Sequence, residues 1–297
     1  MLQEVKLMVH VALAILFALS LSPAGVAQAA EVSLLAEPAW LHARLREPTI
    51  RVVDMATRRE TYRAGHIPGA VYLNIRQLMI PVPAAGVRAL EAGEAASLFG
   101  QLGIANESHV VIYDDAGGLH ASRLFFTLDF VGHRRVSILN GGLEAWRRAG
   151  FPLVQEVAAV TPTAYRPVPH RDRLASAEWI LAKLGDRGVA LVDARSPGEY
   201  AGEILLSRRG GHIPGAVNVE WIQHLRPDGT FKPIEELRDL YAARGVTPDK
   251  TVVPYCQAFH RSAHTYFVLR LLGYPRVAGY DRAWAEWGNR DDLPVAR

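Results

Sequence analysis

The chain has 297 residues, 49% of them apolar and 21% charged, with a net charge of +3. That is about twice the roughly 100 to 200 residues of an ordinary domain, and the composition is that of packed cores, so a single small module, wholesale disorder and collagen-like or mucin-like sequence are excluded. The 33 basic and 30 acidic residues are evenly spread and leave no electrostatic footprint for a nucleic-acid partner.

Lys6 precedes an apolar run from Leu7 to Leu21 that is broken only by His10 and Ser20, and the small residues Ala27-Gln28-Ala29-Ala30 follow. The run of about 15 residues is short of the ~20 that span a bilayer, so the pattern predicts a secretory signal peptide over 1–30, cleaved near Ala29 or Ala30. The expected location is periplasmic or secreted, with no stable membrane insertion after cleavage. Such a compartment favours disulfides, yet Cys256 is the only cysteine. Buried filler, an intermolecular bridge and a reactive thiol all remain open for it at this point.

From residue 31 onward the chain is written twice. Trp40 to Leu45 parallels Trp179 to Leu184, and Val52-Val53-Asp54 parallels Leu191-Val192-Asp193. Gly65-His66-Ile67-Pro68-Gly69-Ala70-Val71 recurs unchanged as Gly211 to Val217. Val110 to Asp114 matches Val252 to Cys256, and Gly142 to Trp146 matches Ala283 to Trp287. Short β-branched runs at 50–53, 110–113, 189–192 and 251–255 alternate with helical segments such as 94–102 and 234–244, which predicts an α/β fold with a parallel sheet flanked by helices in each copy. Thr57-x-x-Glu60 and Ser196-Pro197-x-Glu199 read as capping boxes. The proline-rich stretch around 157–171 reads as an extended linker between domains at 31–156 and 172–297. Asp54, Asp193, His66 and His212 occur in both copies, so a structural role is expected of them. Trp146 and Trp287 are expected core anchors, and the second copy carries seven extra residues near 203–210, either a solvated loop or a wall of an entrance.

Cys256 follows a buried-type strand and precedes a helix predicted over 262–272, and a nucleophile at such a turn is well aimed. The amides of Gln257, Ala258, Phe259, His260, Arg261 and Ser262 are expected to converge on the sulfur as an anion cradle. A cradle of this kind lowers a thiol from about 8.5 toward neutrality, with positive charge expected from His260 and Arg261. In the first copy Asp114 stands where the thiol would be, so that half is expected to be structural. Arg195 either reaches the cradle or pairs with Asp193 or Glu199. His260 and His264 have the spacing of paired zinc ligands but no third ligand in sequence, and no metal is expected.

The doubled unit, the two His-Ile-Pro-Gly-Ala loops, the cysteine loop in the second copy alone and Tyr280-Asp281-Arg282-Ala283-Trp284-Ala285-Glu286-Trp287-Gly288 together resemble the tandem-domain rhodanese-like sulfurtransferases. The resemblance covers nearly the whole chain after the leader. It implies two tandem rhodanese-like domains and a cofactor-free ping-pong reaction in which Cys256 takes a sulfane sulfur from a small anionic donor such as thiosulfate, holds it as a persulfide and passes it to cyanide or another thiophilic acceptor. The six-residue loop from Cys256 to Arg261 resembles the sulfur-handling members, whereas the related phosphatases use a loop one residue longer. Cys256-Gln257-Ala258-Phe259-His260-Arg261 differs from the familiar loops of thiosulfate and 3-mercaptopyruvate enzymes. Arg261 favours thiosulfate as an anion clamp, while Glu199, where animal members carry an arginine, is expected to repel anions. A 3-mercaptopyruvate sulfurtransferase and a non-catalytic sulfur-binding module are the alternatives. A monomer is expected.

Overall fold

The computed structural model describes residues 33–83 and 85–297, so the predicted signal peptide and its cleavage site lie outside the described residues. The strands are β1 (Leu35–Ala36), β2 (Ile50–Asp54), β3 (Val71–Tyr72), β4 (Ile80–Pro81), β5 (Val87–Arg88), β6 (His109–Tyr113), β7 (Val136–Leu139), β8 (Val189–Asp193), β9 (Val217–Asn218) and β10 (Thr251–Tyr255). The α-helices are α1 (Pro38–His42), α2 (Arg59–Ala64), α3 (Ala92–Gln101), α4 (Leu119–Phe130), α5 (Gly142–Arg148), α6 (Ala177–Ala182), α7 (Pro197–Ala201), α8 (Ile234–Ala242), α9 (Arg261–Leu271) and α10 (Ala283–Trp287).

In the first copy β1, β7, β6, β2 and β3 lie side by side in that order, all parallel. Strand β6 is buried along its whole length, as a parallel strand covered by helices on both faces must be. In the second copy β10, β8 and β9 are parallel, and bridges Val252 to Val277 and Leu174 to Gly279 carry the sheet past β10 in the order of the first. A short antiparallel pair, β4 with β5, is reduced in the second copy to a single antiparallel bridge, Leu225 to Phe231.

The repeated loop does the same work twice. His66 stacks on Tyr62 and bonds the Tyr62 carbonyl at 2.8 Å through Nδ1. His212 stacks on Tyr200 and bonds its carbonyl at 3.0 Å. The Ile67 and Ile213 amides each donate to a tyrosine hydroxyl at 3.1 Å, of Tyr113 and Tyr255 respectively. Trp146 and Trp287 are buried and cap the Pro152 and Pro294 carbonyls. These residues hold the scaffold, including in the copy that lacks a thiol.

Helices α4 and α9, one from each copy, pack against each other. Phe125 meets Phe267 edge-on at 4.9 Å, and Phe126 meets Tyr266 at 5.0 Å. The Tyr266 hydroxyl donates to Asp129 at 2.5 Å. One apolar cluster therefore draws on both copies, with Phe126 and Leu128 beside Phe259 and Val268. The segment between the copies runs along the first of them: the amides of Thr163, Val168 and His170 donate to Gly100, Val131 and Phe130, and Tyr165 is buried.

One expected helix cap is corrected. Arg58, not Thr57, precedes α2 and gives no side-chain cap, because Thr57 turns its amide and hydroxyl to Asp115 at 2.8 and 2.7 Å. The Ser196–Glu199 box at α7 forms. The extra residues at 203–210 lie beside the cysteine loop, where Gln257 Nε2 donates to the Leu206 carbonyl at 3.1 Å, and Arg209 ties the segment to the Trp287, Arg290 and Leu293 carbonyls.

Candidate active site

Cys256 follows β10 directly and α9 starts at Arg261, so the sulfur sits at the C-terminal edge of a parallel sheet beside a helix N-terminus. Two features bend the loop. Ala283 takes a left-handed conformation at φ 54°, and the amides of Trp284 and Ala285 that follow it donate to the Cys256 and Gln257 carbonyls at 2.9 and 3.0 Å. Phe259 is also left-handed, at φ 47°, which is rare for an aromatic residue. Its ring lies over Gly279, where a Cβ would stand 2.1 Å from Phe259 Cζ, and edge-on to Phe126 at 4.6 Å. The turn at Phe259 aims the His260 amide at Cys256 Sγ, 3.3 Å away. Cys256 itself is 1% exposed.

The charges around the loop differ from the sequence expectation. Arg261 is not a free cation, because its two terminal nitrogens grip Glu199 at 2.6 and 2.8 Å. Burial alone would raise the Glu199 carboxyl, but the bonds and charge of Arg261 hold it down at about 2. Glu199 is thus neutralised and does not stand as a bare repelling carboxylate. Arg195 takes the second of its two readings: it is 1% exposed, its Nε and Nη2 bond Asp193 at 2.9 and 2.5 Å, and it lies over the Trp284 ring. His260 adds no positive charge either. Burial, then the proximity of His120 and Arg123, pushes it down to about 3.

Polar capacity is left over in the loop. Gln257 Oε1, His260 Nε2 and Ser262 Oγ are buried and make no hydrogen bond within the protein. Buried groups without a partner are costly, and these three mark where a polar ligand can supply one. Ala258 offers the loop only its backbone, as its type dictates. His264 is not a metal ligand in waiting beside His260, since its Nε2 and Nδ1 bond the Gly117 carbonyl and His224 at 3.2 and 3.1 Å.

The corresponding loop of the first copy forms a fuller ring of main-chain donors than the one amide at Cys256, and fills it itself. Asp114 Oδ1 accepts the amides of Ala116 and Gly118 at 2.9 and 2.8 Å, and Oδ2 accepts those of His120 and Ala121 at 2.8 and 2.9 Å. The carboxylate is the resident anion of a ring of main-chain donors. The two loops also touch, with His120 stacked on His260 at 5.0 Å.

One residue escaped the sequence reading. Arg123, on α4 of the first copy, is fully buried and donates to the Phe259 carbonyl of the second copy at 3.0 Å. Its only sequence signal is an arginine leading the apolar run Leu124-Phe125-Phe126 on a helix interior.

This fold and this loop define a class. The rhodanese-like domain family matches the chain twice, over residues 37–149 and 176–290, and the chain belongs to that family. A protein of Azotobacter vinelandii named thiosulfate sulfurtransferase is 41% identical over 266 residues, covering 90% of this chain and 98% of its own length. A sulfur carrier protein of Thermus thermophilus, TtuD, is 40% identical over 285 residues, covering 90% of this chain and 98% of its own. Among solved structures, the EanB enzyme holding ergothioneine covalently linked with a cysteine persulfide aligns at a TM-score of 0.80 with 27% identity, over 88% of this chain and 69% of that one.

Proposed function

We propose that the protein is a thiosulfate sulfurtransferase with Cys256 as nucleophile and sulfur carrier. The thiolate attacks the outer sulfur of thiosulfate, the sulfur–sulfur bond of the donor breaks, and its electron pair leaves on sulfite. The persulfide then gives its terminal sulfur to a thiophile, cyanide leaving as thiocyanate and the thiolate being restored. The observation that carries this reading is the amide of His260 directed at the sulfur of the only thiol, at a strand-to-helix turn. Of the six loop amides expected to converge on the sulfur, that of His260 alone donates to it, and it stabilises first the thiolate and then the persulfide anion, while the unpartnered Ser262 and His260 atoms are suited to the sulfonate oxygens of the donor. Arg261 serves by shaping the loop through Glu199, and Arg195 by fixing the strand end through Asp193. The likeness to EanB, whose structure carries a cysteine persulfide, supports the covalent intermediate.

Mass spectrometry after incubation with thiosulfate is expected to show one added sulfur, located on Cys256, and Cys256→Ala is expected to lose both the adduct and turnover with cyanide. An unmodified Cys256, with turnover surviving in the variant, would refute the assignment. The relative named a sulfur carrier favours a second reading, stoichiometric loading with delivery to a partner. Full loading with negligible multiple turnover toward small thiophiles distinguishes it, and replacing thiosulfate by 3-mercaptopyruvate in the same assay tests the other donor.

We also propose export by the N-terminal segment. Protein recovered from the cell envelope is expected to begin near Ala30 on N-terminal sequencing; an intact Met1 terminus in a cytosolic fraction would contradict it.

A further inference from the structure

Arg123 joins the two copies at one peptide unit. The carbonyl of Phe259 and the amide of His260 belong to the same planar group. Arg123 Nη1 donates to that carbonyl at 3.0 Å, and the amide at the other end of the plane donates to Cys256 Sγ at 3.3 Å. Arg123 Nη2 is anchored to the Leu78 carbonyl at 3.0 Å, so the guanidinium bridges a first-copy carbonyl and the loop. Since Phe259 is held at φ 47°, a backbone state its side chain disfavours, the 259–260 plane needs an external clamp to stay turned toward the sulfur.

We propose that Arg123, from the copy without a nucleophile, is a positioning residue for Cys256, fixing and polarising the peptide that donates to the sulfur and adding behind it a positive charge that no carboxylate pairs with among the described residues. The proposal rests on the reading of Cys256 as a thiolate carrier.

The charge argument is one of elimination. Arg261 also lies in the field of Cys256, but its guanidinium is matched by Glu199, and Arg195 is matched by Asp193, each at hydrogen-bond distance. His260 is neutral. Among the described residues Arg123 forms no ion pair with a carboxylate; Asp281 is the acidic group whose field reaches it, and that carboxylate accepts the Ala89 amide at 2.9 Å. Burial brings the Arg123 guanidinium down to about 10, which Asp281 and Cys256 partly offset, so it is charged at neutral pH and its field falls on the sulfur. Its Nε finds no acceptor, and the guanidinium lies 5.3 Å from the Phe259 ring centre. A buried cation without a carboxylate is a poor device for stability. It is a good one for keeping a neighbouring sulfur ionised, and for making a carbonyl-bonded amide a stronger donor.

The test is a thiolate titration followed by ultraviolet absorbance, with Cys256→Ala in the same background subtracted. Because the chain has 1 cysteine, the difference reports Cys256 alone. Arg123→Met is expected to raise the midpoint by about one pH unit, the scale of one lost neighbouring charge. Arg123→Lys keeps the charge but cannot bridge both carbonyls, and is expected to fall between native and Met. A midpoint equal to native in any folded variant overturns the proposal, since a merely structural residue would alter the melting temperature and not the titration. If Arg123→Met does not fold, Arg123→Lys decides alone, an intermediate midpoint supporting the proposal and a native one overturning it. The readout uses no sulfur donor, so a failed loading experiment and a failed titration remain separate results.

Discussion

Replacing Asp114 is expected to destabilise the protein severely although the residue takes no part in the chemistry. Its side chain is buried and accepts four main-chain amides, two on each oxygen. Hydrogen bonds to a charged group are each worth about 1.5 to 3 kcal/mol, and donors left bare in a buried loop carry their full desolvation cost. Because the four act together, a loss of about 5 kcal/mol is the expected scale for Asp114→Ala, measured as the urea midpoint. Asp114→Asn is the sharper variant. It keeps the shape, but its amide group confronts two donors with a third, and about 3 kcal/mol should be lost. If the ring is an anion cradle, sulfate should stabilise Asp114→Ala progressively and leave the native protein nearly unaffected, by the linkage of ligand binding to folding. Native-like stability of Asp114→Asn, or the absence of any sulfate effect on Asp114→Ala, would show that the amides do not form a cradle.

Mild acid is expected to cost about as much as Asp114→Asn. Burial, as the leading cause, pushes His109 and His264 down to about 4, His260 to about 3, and His224 well below its ordinary value. Two of them are locked by their partners. His264 Nε2 faces the Gly117 carbonyl and must carry the proton, which leaves its Nδ1 bare to accept from His224 Nδ1. His224 Nε2 is then bare and accepts from the Tyr241 hydroxyl at 2.8 Å. The chain has no place for another proton. In the unfolded state these rings titrate near 6.5, so below that pH the unfolded chain binds protons that the native one refuses, and stability falls as pH falls. Between about pH 7 and about pH 5.5 each ring costs about 1 kcal/mol. Asp54 acts in the opposite sense: burial raises it to about 6, so the native state gains on acidification from there down toward the unfolded value. A net loss of about 3 kcal/mol is expected, a large share of the roughly 5 to 15 kcal/mol that hold a protein folded. Urea midpoints at the two pH values measure it, and equal midpoints would mean that the histidines are solvated in solution.

The architecture was legible because the duplication was nearly verbatim around His66 and His212, and because β2, β6, β8 and β10 are β-branched runs of the length a buried strand needs. The loop after Cys256 was legible for a local reason, a thiol between a strand and a helix. What escaped was tertiary. Glu199 and Arg261 were read singly, as a repelling anion and a free cation, yet they are 62 positions apart in the chain and cancel each other. His260 looked cationic because sequence carries no measure of its burial among His120 and Arg123. Thr57 had the spacing of a cap and was diverted by Asp115, a partner 58 positions away. Asp114 was recognised as the loss of a nucleophile; that its carboxylate occupies the ring of amides follows only from the coordinates of the amides. Arg123 belongs to no motif at all, and its meaning lies in a peptide of the other copy.

The pairing of α4 with α9 makes each copy a part of the other's core. Most residues of both helices are buried, and each copy supplies the other's covering. Separating the copies would strip two apolar flanks at once, leaving each half with a face that only the other covers. The doubled molecule is one of mutual dependence: the copy without a thiol covers the helix that follows the thiol, and a substitution on its hidden helix is felt on the far side of the seam.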